Sequence, residues 1–379
     1  MWMFRQMRRS RARWAALGAA AVVMVGGNAS AAAGWTVVSV PQTGKATVLN
    51  GAFARTPADM WMVGQQFGPS GVPAPPPVAY HWNGSAWSLV STASMTAVAN
   101  LRAVSASSAT DAWAVGFKKG ADSSFALSEH WNGSAWSIVS FPSSSAKHFS
   151  LRAVADLSST NAYAVGSDAG VAYHWNGAAW STLTLPDAGF APSSIAAVSA
   201  TDIWLIGSGA SATTAEALHF DGTTWTVVPM QQPGGTDPPR LNAVTAVAAN
   251  DIWAVGEVQS LTGPYGLSTL IEHWNGSSWS IVPSPTPTGT FPTLTAVADR
   301  GSSDVYAVGW DQHSDGTGVT EGLILRWNGS TWSQDTDPTG YTLSPLYAAA
   351  TVSGAAQEWA AGFDVGSTGI DQALVLSHN

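Results

Sequence analysis

The residues most suited to chemistry in this sequence are an acidic residue and a histidine that recur together. Asp111 and His130 form one such pair. The acidic position holds Asp59, Asp111, Asn161, Asp202, Asp251, Asp304 and Gln357, and the histidine position holds His81, His130, His174, His219, His273 and Arg326. A carboxylate beside an imidazole could transfer protons or bind a metal ion. Since a catalytic site is seldom copied into every repeat, we predict a structural hydrogen bond between His130 and Asp111, and an ion pair between Asp304 and Arg326.

A second group of candidates lies between Trp310 and Gly316, where we expect a strand to give way to a loop after Gly309. After the first 31 residues, Trp310 is the one tryptophan outside the repeat pattern. Its ring could stack on a sugar while Asp311, His313 and Asp315 bind hydroxyl groups, although a plain solvated loop is the alternative. The two aspartates also resemble part of a calcium loop, but the intervening acidic ligand and the closing glutamate are missing. We therefore expect no cofactor, with Ca²⁺ as the one alternative.

Other ligand-binding candidates are single polar or aromatic residues in the same kind of loop. They are Tyr265, Lys118 and Lys119, followed by the weaker candidates Glu257, Tyr341, Asp364 and Asp371. We assign no catalytic residue and no metal site from the sequence.

The signatures of common enzyme classes are missing. The chain has no cysteine, which excludes disulfides, thiolate metal sites and a cysteine nucleophile. It also has no nucleophile elbow and no phosphate-binding loop. Arg102 and Arg152 follow a repeated leucine at equivalent positions, so we interpret them as features of the repeat and not as a triad that binds a substrate carboxylate. Several acids could form a glycosidase pair, but nothing in the sequence selects two of them.

The element that positions these residues is a hairpin at 130–139. An Asn-Gly pair, Asn132-Gly133, suits the tight turn between antiparallel strands, and a tryptophan stands on each side of it, Trp131 and Trp136. Asn132-Gly-Ser134 also reads as a glycosylation acceptor, but the turn already explains both residue types. The hairpin is repeated along the chain, so we predict a repeat architecture.

Each repeat unit contains four strands at a period near 50 residues. A strand with the pattern Leu-x-Ala-Val precedes one ending in Trp-x-x-Gly, and the hairpin supplies the other two. Four short strands at this period predict an all-β propeller, here of seven blades. The last unit lacks its fourth strand and Trp35–Pro41 supplies one, so we expect the N-terminal strand to close the last blade. The predicted domain is 32–379, with blades near 46–91, 100–142, 150–186, 194–229, 241–283, 293–334 and 345–379 plus 34–41.

The units resemble kelch-type repeats, as in the propeller of galactose oxidase. Trp113-Ala-Val-Gly116, followed by Trp131-Asn-Gly and Trp136, carries the resemblance, which covers about residues 34 to 379. The pattern departs from that family at its second glycine, where this chain has Phe117. A copper radical oxidase of that type also needs a tyrosine cross-linked to cysteine. The resemblance therefore implies a fold far more than an activity.

The N-terminal residues predict export from the cell. Five arginines are followed by an apolar run from Trp14 to Val25 and by Ala29-Ser30-Ala31, which is typical of a signal peptide at 1–31. Arg8-Arg9 leaves twin-arginine export open as an alternative, and an uncleaved anchor is disfavoured because the apolar run is short. After residue 31, ten basic residues stand against 24 acidic ones, a net charge of −14. Nucleic acid and anionic membranes are therefore unexpected partners.

The connections predict which face of the propeller binds. The connection between the second and third strands of a unit varies in length. The second-strand aromatic residue and the histidine are 11 residues apart in Tyr163 and His174 and 20 residues apart in Trp61 and His81. We therefore predict a secreted, monomeric and non-catalytic module that presents its variable face to a glycan or protein. The alternatives are a carbohydrate-active hydrolase or lyase working at the channel mouth, and a structural surface or wall-associated protein.

Overall fold

The structure is a computed structural model that describes residues 34–68, 75–120, 122–142, 149–167, 169–210, 213–234, 239–259, 266–336, 338, 344–365 and 370–378. No helix in these ranges is long and apolar enough to cross a membrane. The strands are β1 (Trp35–Val37), β2 (Ala46–Thr56), β3 (Asp59–Phe67), β4 (Val78–Trp82), β5 (Trp87–Val90), β6 (Ala99–Ser108), β7 (Asp111–Lys119), β8 (Ser124–Trp131), β9 (Trp136–Ile138), β10 (Leu151–Ser158), β11 (Asn161–Gly166), β12 (Val171–Trp175), β13 (Trp180–Thr184), β14 (Ala191–Ser199), β15 (Asp202–Ser208), β16 (Ala215–Phe220), β17 (Trp225–Pro229), β18 (Arg240–Ala248), β19 (Asp251–Gln259), β20 (Leu267–Trp274), β21 (Trp279–Ile281), β22 (Thr290–Gly301), β23 (Asp304–His313), β24 (Thr320–Trp327), β25 (Trp332–Asp335), β26 (Leu346–Thr351), β27 (Glu358–Val365) and β28 (Asp371–His378).

These strands form seven antiparallel sheets of four strands, which confirms the predicted seven-bladed propeller. Six sheets follow chain order, and we number them as blades 1 to 6 starting from β2. The seventh has the order β1-β28-β27-β26, so both ends of the chain share one blade. Trp35 pairs with His378 and Val37 with Leu376. The predicted closure of blade 7 by the N-terminal strand is therefore confirmed, and closure leaves the ring with no open end.

Aromatic side chains join every blade to the next. The aromatic residue of each second strand packs edge to face on the fourth-strand tryptophan of the following blade. These pairs are Trp61–Trp136, Trp113–Trp180, Tyr163–Trp225, Trp204–Trp279, Trp253–Trp332, Tyr306–Trp35 and Trp359–Trp87, with ring centroids 4.8 to 6.4 Å apart. Such pairs add to the hydrophobic burial that holds a core together. The repeated tryptophans thus form the inter-blade core.

The strand order gives the propeller two different faces. The first-to-second and third-to-fourth connections are short turns on one face, which we call the turn face. The second-to-third and fourth-to-first connections lie on the opposite face, which we call the loop face. The candidates Tyr265 and Tyr341 lie outside the described residues.

The glycine of the Trp-x-x-Gly pattern has a packing reason. Each first strand except β26 carries two register shifts, and the first shift always follows the residue that faces this glycine. In blade 2, Leu101 pairs with Gly116 and Ala103 with Val115, so Arg102 is an extra, bulged residue. A Cβ on Gly116 would overlap the carbonyl oxygen of Asn100. The glycine therefore admits a bulge, and a bulge re-aims a side chain.

Candidate functional site

The turn face holds the repeated acidic and histidine residues as a structural network. The predicted hydrogen bonds are present at 2.6 to 2.9 Å in the pairs His130–Asp111, His81–Asp59, His219–Asp202, His273–Asp251 and His174–Asn161. Each imidazole also lies against the second-strand aromatic ring, as His130 does against Trp113 at 4.5 Å between centroids. The indole N–H of Trp131, which follows His130, donates to the carbonyl of Ala109. Every one of these imidazoles has a polar and an aromatic partner, which explains the repeat without invoking catalysis.

Blades 6 and 7 replace that hydrogen bond with a charged cluster. Arg326 stands at the histidine position, and its Nη2 lies 2.8 and 3.1 Å from the carboxylate oxygens of Asp304, as predicted. The same guanidinium lies 3.0 Å from Glu358, which is fully buried where other blades carry an apolar residue. Arg300 adds a contact of 3.1 Å to Glu358. Two arginines thus neutralise one buried carboxylate.

The structure separates the residues predicted around Trp310. Strand β23 continues to His313, so the expected end of the strand after Gly309 is wrong. Successive side chains of a strand point to opposite sides, so half-buried Trp310 lies on the side opposite to Asp311 and His313. Burial raises the pKa of Asp311. Asp315 is exposed and accepts hydrogen bonds from Thr317, so its carboxylate organises the turn itself.

The remaining predicted residues are dispersed over the loop face. Lys118 and Lys119 end β7 in blade 2, and Lys118 borders a cavity of about 310 Å³ that also contacts Phe125 and Phe141. Asp364 is buried near Asp371 in blade 7, and burial raises its pKa. Within the described ranges, no three histidine or acidic side chains converge so as to hold a metal ion.

The central channel of the propeller forms a large cavity. It encloses about 530 Å³ and is lined by the first strands of all seven blades. The bulged residues described above project along this wall, and we call them the bulge ring. The ring consists of Asn50, Arg102, Arg152, Ser193, Asn242, Thr295 and Tyr347. They lie toward the loop face, because each first strand runs from the loop face to the turn face.

Four members of the bulge ring bind the next blade. Asn50, Ser193, Asn242 and Thr295 each donate to the carbonyl following in the ring, on Leu101, Leu241, Leu294 and Leu346 respectively, at 2.6 to 3.2 Å. The two arginines differ from this pattern. Half-buried Arg102 lies over the ring of Phe117, at 5.1 Å from its centroid, and Arg152 is exposed to the channel.

A third arginine extends this positive patch. Burial and the charge of Arg152 lower the pKa of Arg102, and burial and the charge of Arg240 lower the pKa of Arg152. Arg240 begins β18 at the loop face, opposite Glu257 on β19. Burial raises the pKa of Glu257 to about 7, although Asn242 donates to it at 2.6 Å and Arg240 lies nearby. Arginine is therefore concentrated at the loop-face mouth of the channel.

The other end of the channel is acidic. Asp156 and Asp299 occupy equivalent positions near the turn face in blades 3 and 6. Asp156 accepts from the backbone N–H of Ser107 at 2.9 Å, and Thr245 donates to Asp299 at 2.6 Å. Burial and the nearby charge of Asp111 raise the pKa of Asp156 to about 7. The channel is thus positive at one mouth and carries carboxyl groups at the other.

Reasoning from the sequence missed the bulge ring, although a signal for it exists. Arg102 and Arg152 were interpreted as ordinary repeat positions. In the four blades that keep Leu-x-Ala-Val, the x residue changes between arginine, asparagine and threonine, at Arg102, Arg152, Asn242 and Thr295. A position that varies inside a constant motif points to a side chain that the fold does not specify.

Comparison with known proteins supports the fold. No family model matches the chain, and no curated protein matches it. A structure of YCF48 bound to D1 peptide superposes with a TM-score of 0.58 at 15% identity, over 91% of this chain and 96% of that one. The WD40 repeats of RRP9 give a TM-score of 0.58 at 10% identity, over 92% and 98%. A GH74 xyloglucanase from Xanthomonas campestris gives 0.55 at 13% identity, over 86% and 53%. At these identities the likeness concerns the fold alone.

Proposed function

We propose that this chain is a secreted, non-catalytic binding module, a kelch-like propeller whose loop face recognises a glycan or an extracellular protein. The bulge ring is the observation that supports this most. Seven blades repeat one backbone position on the channel wall, while its side chain changes from blade to blade. On the turn face, by contrast, the side chains themselves are repeated. Variation on one face of a rigid scaffold is typical of a binding surface.

The proposed module is a monomer that needs no cofactor, and residues 1–31 are its export signal. Trp310 and the polar residues predicted with it would contribute to the outer part of the loop face. The fold neighbours are consistent with either ligand class, since one is bound to a peptide and another is a xyloglucanase. The mouth of the channel is concave and has a few polar groups on a rigid wall, so it suits recognition of one small part of a larger ligand.

Binding and product release, measured together, test this function. The chain without residues 1–31 would be applied to arrays of neutral, acidic and sulfated glycans, and the supernatants assayed for released sugar. We expect saturable binding without release. Hydrogen exchange with the bound glycan should slow at loop-face connections and stay unchanged in the turn-face hairpins. Protection of those hairpins alone would contradict the proposal.

The alternative function is a hydrolase or lyase working at the channel mouth. It is favoured by two separate carboxyl groups, Glu257 at the loop-face mouth and Asp156 near the turn-face end, because burial raises the pKa of each to about 7. A carboxyl group that keeps its proton near neutral pH can act as a general acid. This alternative requires release of reducing ends from a bound polysaccharide, and loss of that release in Asp156→Asn or Glu257→Gln. Turnover of this kind would replace the binding function by an enzymatic one.

A further inference from the structure

We propose that the loop-face mouth of the channel is an oxyanion-binding site, in which Arg102, Arg152 and Arg240 receive a carboxylate, phosphate or sulfate group of the ligand. This inference rests on the proposed function, because it specifies the ligand chemistry at the same face.

The first support is the position of the arginines. Arg102 and Arg152 are bulged residues of neighbouring blades, so both side chains are directed into one cavity of about 530 Å³. The backbone bulge that directs them is itself built into every blade by the glycine opposite it. Arg240 lies on the rim of the same mouth, two residues before the bulged Asn242. The fold therefore gathers three of the six arginines that follow residue 31 at one place.

The second support is that Arg102 and Arg152 have no anionic partner. Among the described residues, neither guanidinium forms an ion pair or donates a hydrogen bond, and Arg102 has only the ring of Phe117 beneath it. The other bulge-ring residues show what a structural role looks like at this position, since Ser193 and Thr295 bind the next blade. An arginine at the same position adds nothing comparable to the inter-blade contacts.

The third support is electrostatic. Two guanidinium groups side by side in a cavity repel each other, and their partial burial disfavours the charged form. Burial and the charge of Arg152 lower the pKa of Arg102, and burial and the charge of Arg240 lower the pKa of Arg152. Carboxylate, phosphate and sulfate groups fit the planar fork of arginine through paired hydrogen bonds and would relieve the repulsion. Relief of this repulsion therefore favours the oxyanion-bound site over the empty one.

The carboxyl groups on the wall limit where such a ligand binds. Glu257 pairs across the strands with Arg240, and Asn242 already donates to it. Asp156 and Asp299 lie toward the turn face and offer no positive partner to an anion that moved further along the channel. The oxyanion is therefore held at the loop-face mouth, with the rest of the ligand extending over that face.

The test uses small oxyanions as probes. Sodium sulfate, phosphate and acetate would be titrated into the chain without residues 1–31, with sodium chloride at equal ionic strength as the blank, and binding followed by calorimetry and by Tm. We expect saturable binding that Arg102→Gln or Arg152→Gln weakens about tenfold each, the loss that follows removal of a hydrogen bond to a charged group. Lys45→Gln removes one exposed charge from the same face outside the channel and should bind as the unchanged chain does.

The fold must remain intact in these variants for the test to be valid. We expect the double variant Arg102→Gln/Arg152→Gln to keep its Tm at low salt, because it loses mutual repulsion along with the contact to Phe117. Oxyanion binding that persists unchanged in this variant, or no saturable binding in the parent chain, would overturn the site.

A last set of binding measurements distinguishes a failure of this inference from a failure of the proposed function, and it identifies the source of the oxyanion. Oligogalacturonate, sulfated glycans and acidic peptides would be compared in the parent chain and in the double variant. A ligand that binds both equally well would support the binding module and refute the arginine site. Arginine-dependent binding of inorganic anions without any glycan or protein ligand would support the site and refute the module.

Discussion

The arginines on the two faces of the propeller differ in whether a carboxylate of the chain lies beside them. On the turn face, Arg55 lies 2.6 Å from Asp59, and Arg300 and Arg326 share Glu358 and Asp304. On the loop face, Arg102 and Arg152 lie near each other without a carboxylate partner in the described residues. A charge that serves the fold is neutralised within the fold, because an unpaired charge in a cavity costs stability. The difference indicates that the turn face serves stability and that the loop face serves a molecule from outside.

The largest expected effect concerns the closed ring that both faces share. Trp35→Ala removes a buried ring that packs on Tyr306 at 5.3 Å, and should lower the free energy of unfolding by about 3–5 kcal/mol. Val37→Ala in the same strand is the matched control, since Val37 is 52% exposed and should cost little. Urea denaturation measures both. Deletion of residues 34–41 should lower the Tm at least as much as Trp35→Ala, and a deletion that melts like the parent would refute closure.

The next prediction tests whether the opposite charges on the turn face stabilise the fold by pairing with one another. Arg326→Met leaves buried Glu358 with Arg300 as its remaining arginine and should cost about 3 kcal/mol, as for a buried ion pair that loses one partner. The double variant Arg326→His/Glu358→Val restores the residue types of other blades and should recover most of that loss. Denaturation curves of both variants give the answer. A double variant no more stable than Arg326→Met would show that the charged cluster does not simply take the place of the histidine and the apolar residue found in the other blades.

A direct contrast between the faces comes from one substitution on each. Asp111→Ala removes the partner of His130 and of Ser107, and should cost about 1–3 kcal/mol, the range for a buried group that loses its hydrogen bond. Arg152→Gln should leave the free energy of unfolding nearly unchanged. Glycan or protein binding per folded molecule should show the reverse order. Equal stability losses at the two positions would remove the distinction between the faces.

Sequence reasoning predicted the features that recur in every repeat and missed those that differ between repeats. The blade count, the closure by β1 and the pair between His130 and Asp111 follow from residue types that recur at fixed spacing. The continuation of β23 to His313 was not predicted, because the length of a hairpin depends on pairing between distant strands and not on a local pattern. The direction of Arg102 also could not be predicted, since it depends on a bulge visible only when two strands are in register.

The pH dependence of stability tests a different set of buried groups. Glu129 and Glu272 are fully buried on third strands and accept hydrogen bonds from the backbone N–H of Ala93 and Gln231. Burial raises the pKa of each to about 7 from an ordinary value of 4.5. The folded state therefore holds a proton that the unfolded state has already released, so stability is full below the ordinary pKa and is lost as the pH rises toward about 7.

We expect the free energy of unfolding to fall by roughly 2–3 kcal/mol per group between about pH 4.5 and about pH 7. Glu129→Gln and Glu272→Gln should each flatten that slope, because glutamine does not titrate. Urea denaturation across this range measures the slope, and Glu321→Gln, which changes an exposed carboxylate, is the control. A slope as steep in the double Gln variant as in the parent would assign the pH dependence to other groups, such as Asp156 and Glu257, whose pKa values burial also raises to about 7.

The smallest expected effect on stability concerns Trp310, and it is the sharpest test of the outer loop face. Unlike the tryptophans of the pairs described above, such as Trp61 and Trp136, Trp310 takes no part in the aromatic contacts between blades. It lies in β23 opposite Thr293 and Gly322, half-buried, on the side of the strand away from Asp311. Trp310→Ala should therefore cost less than about 1.5 kcal/mol in stability, because only part of the ring leaves a nonpolar environment.

If the ring anchors a ligand, the same substitution should weaken binding of the glycan or protein identified on the loop face by about tenfold, a loss of about 1.4 kcal/mol. Phe125→Ala is the control, since Phe125 is a more exposed aromatic residue, 43% accessible, on the loop-face side of blade 2. Calorimetric titration of both variants measures the difference. Unchanged binding in Trp310→Ala would restrict recognition to the channel mouth, and a collapsed fold would make Trp310 a core residue. Weakened binding with intact stability would extend the ligand from the arginines in blades 2 and 3 to the hairpin of blade 6.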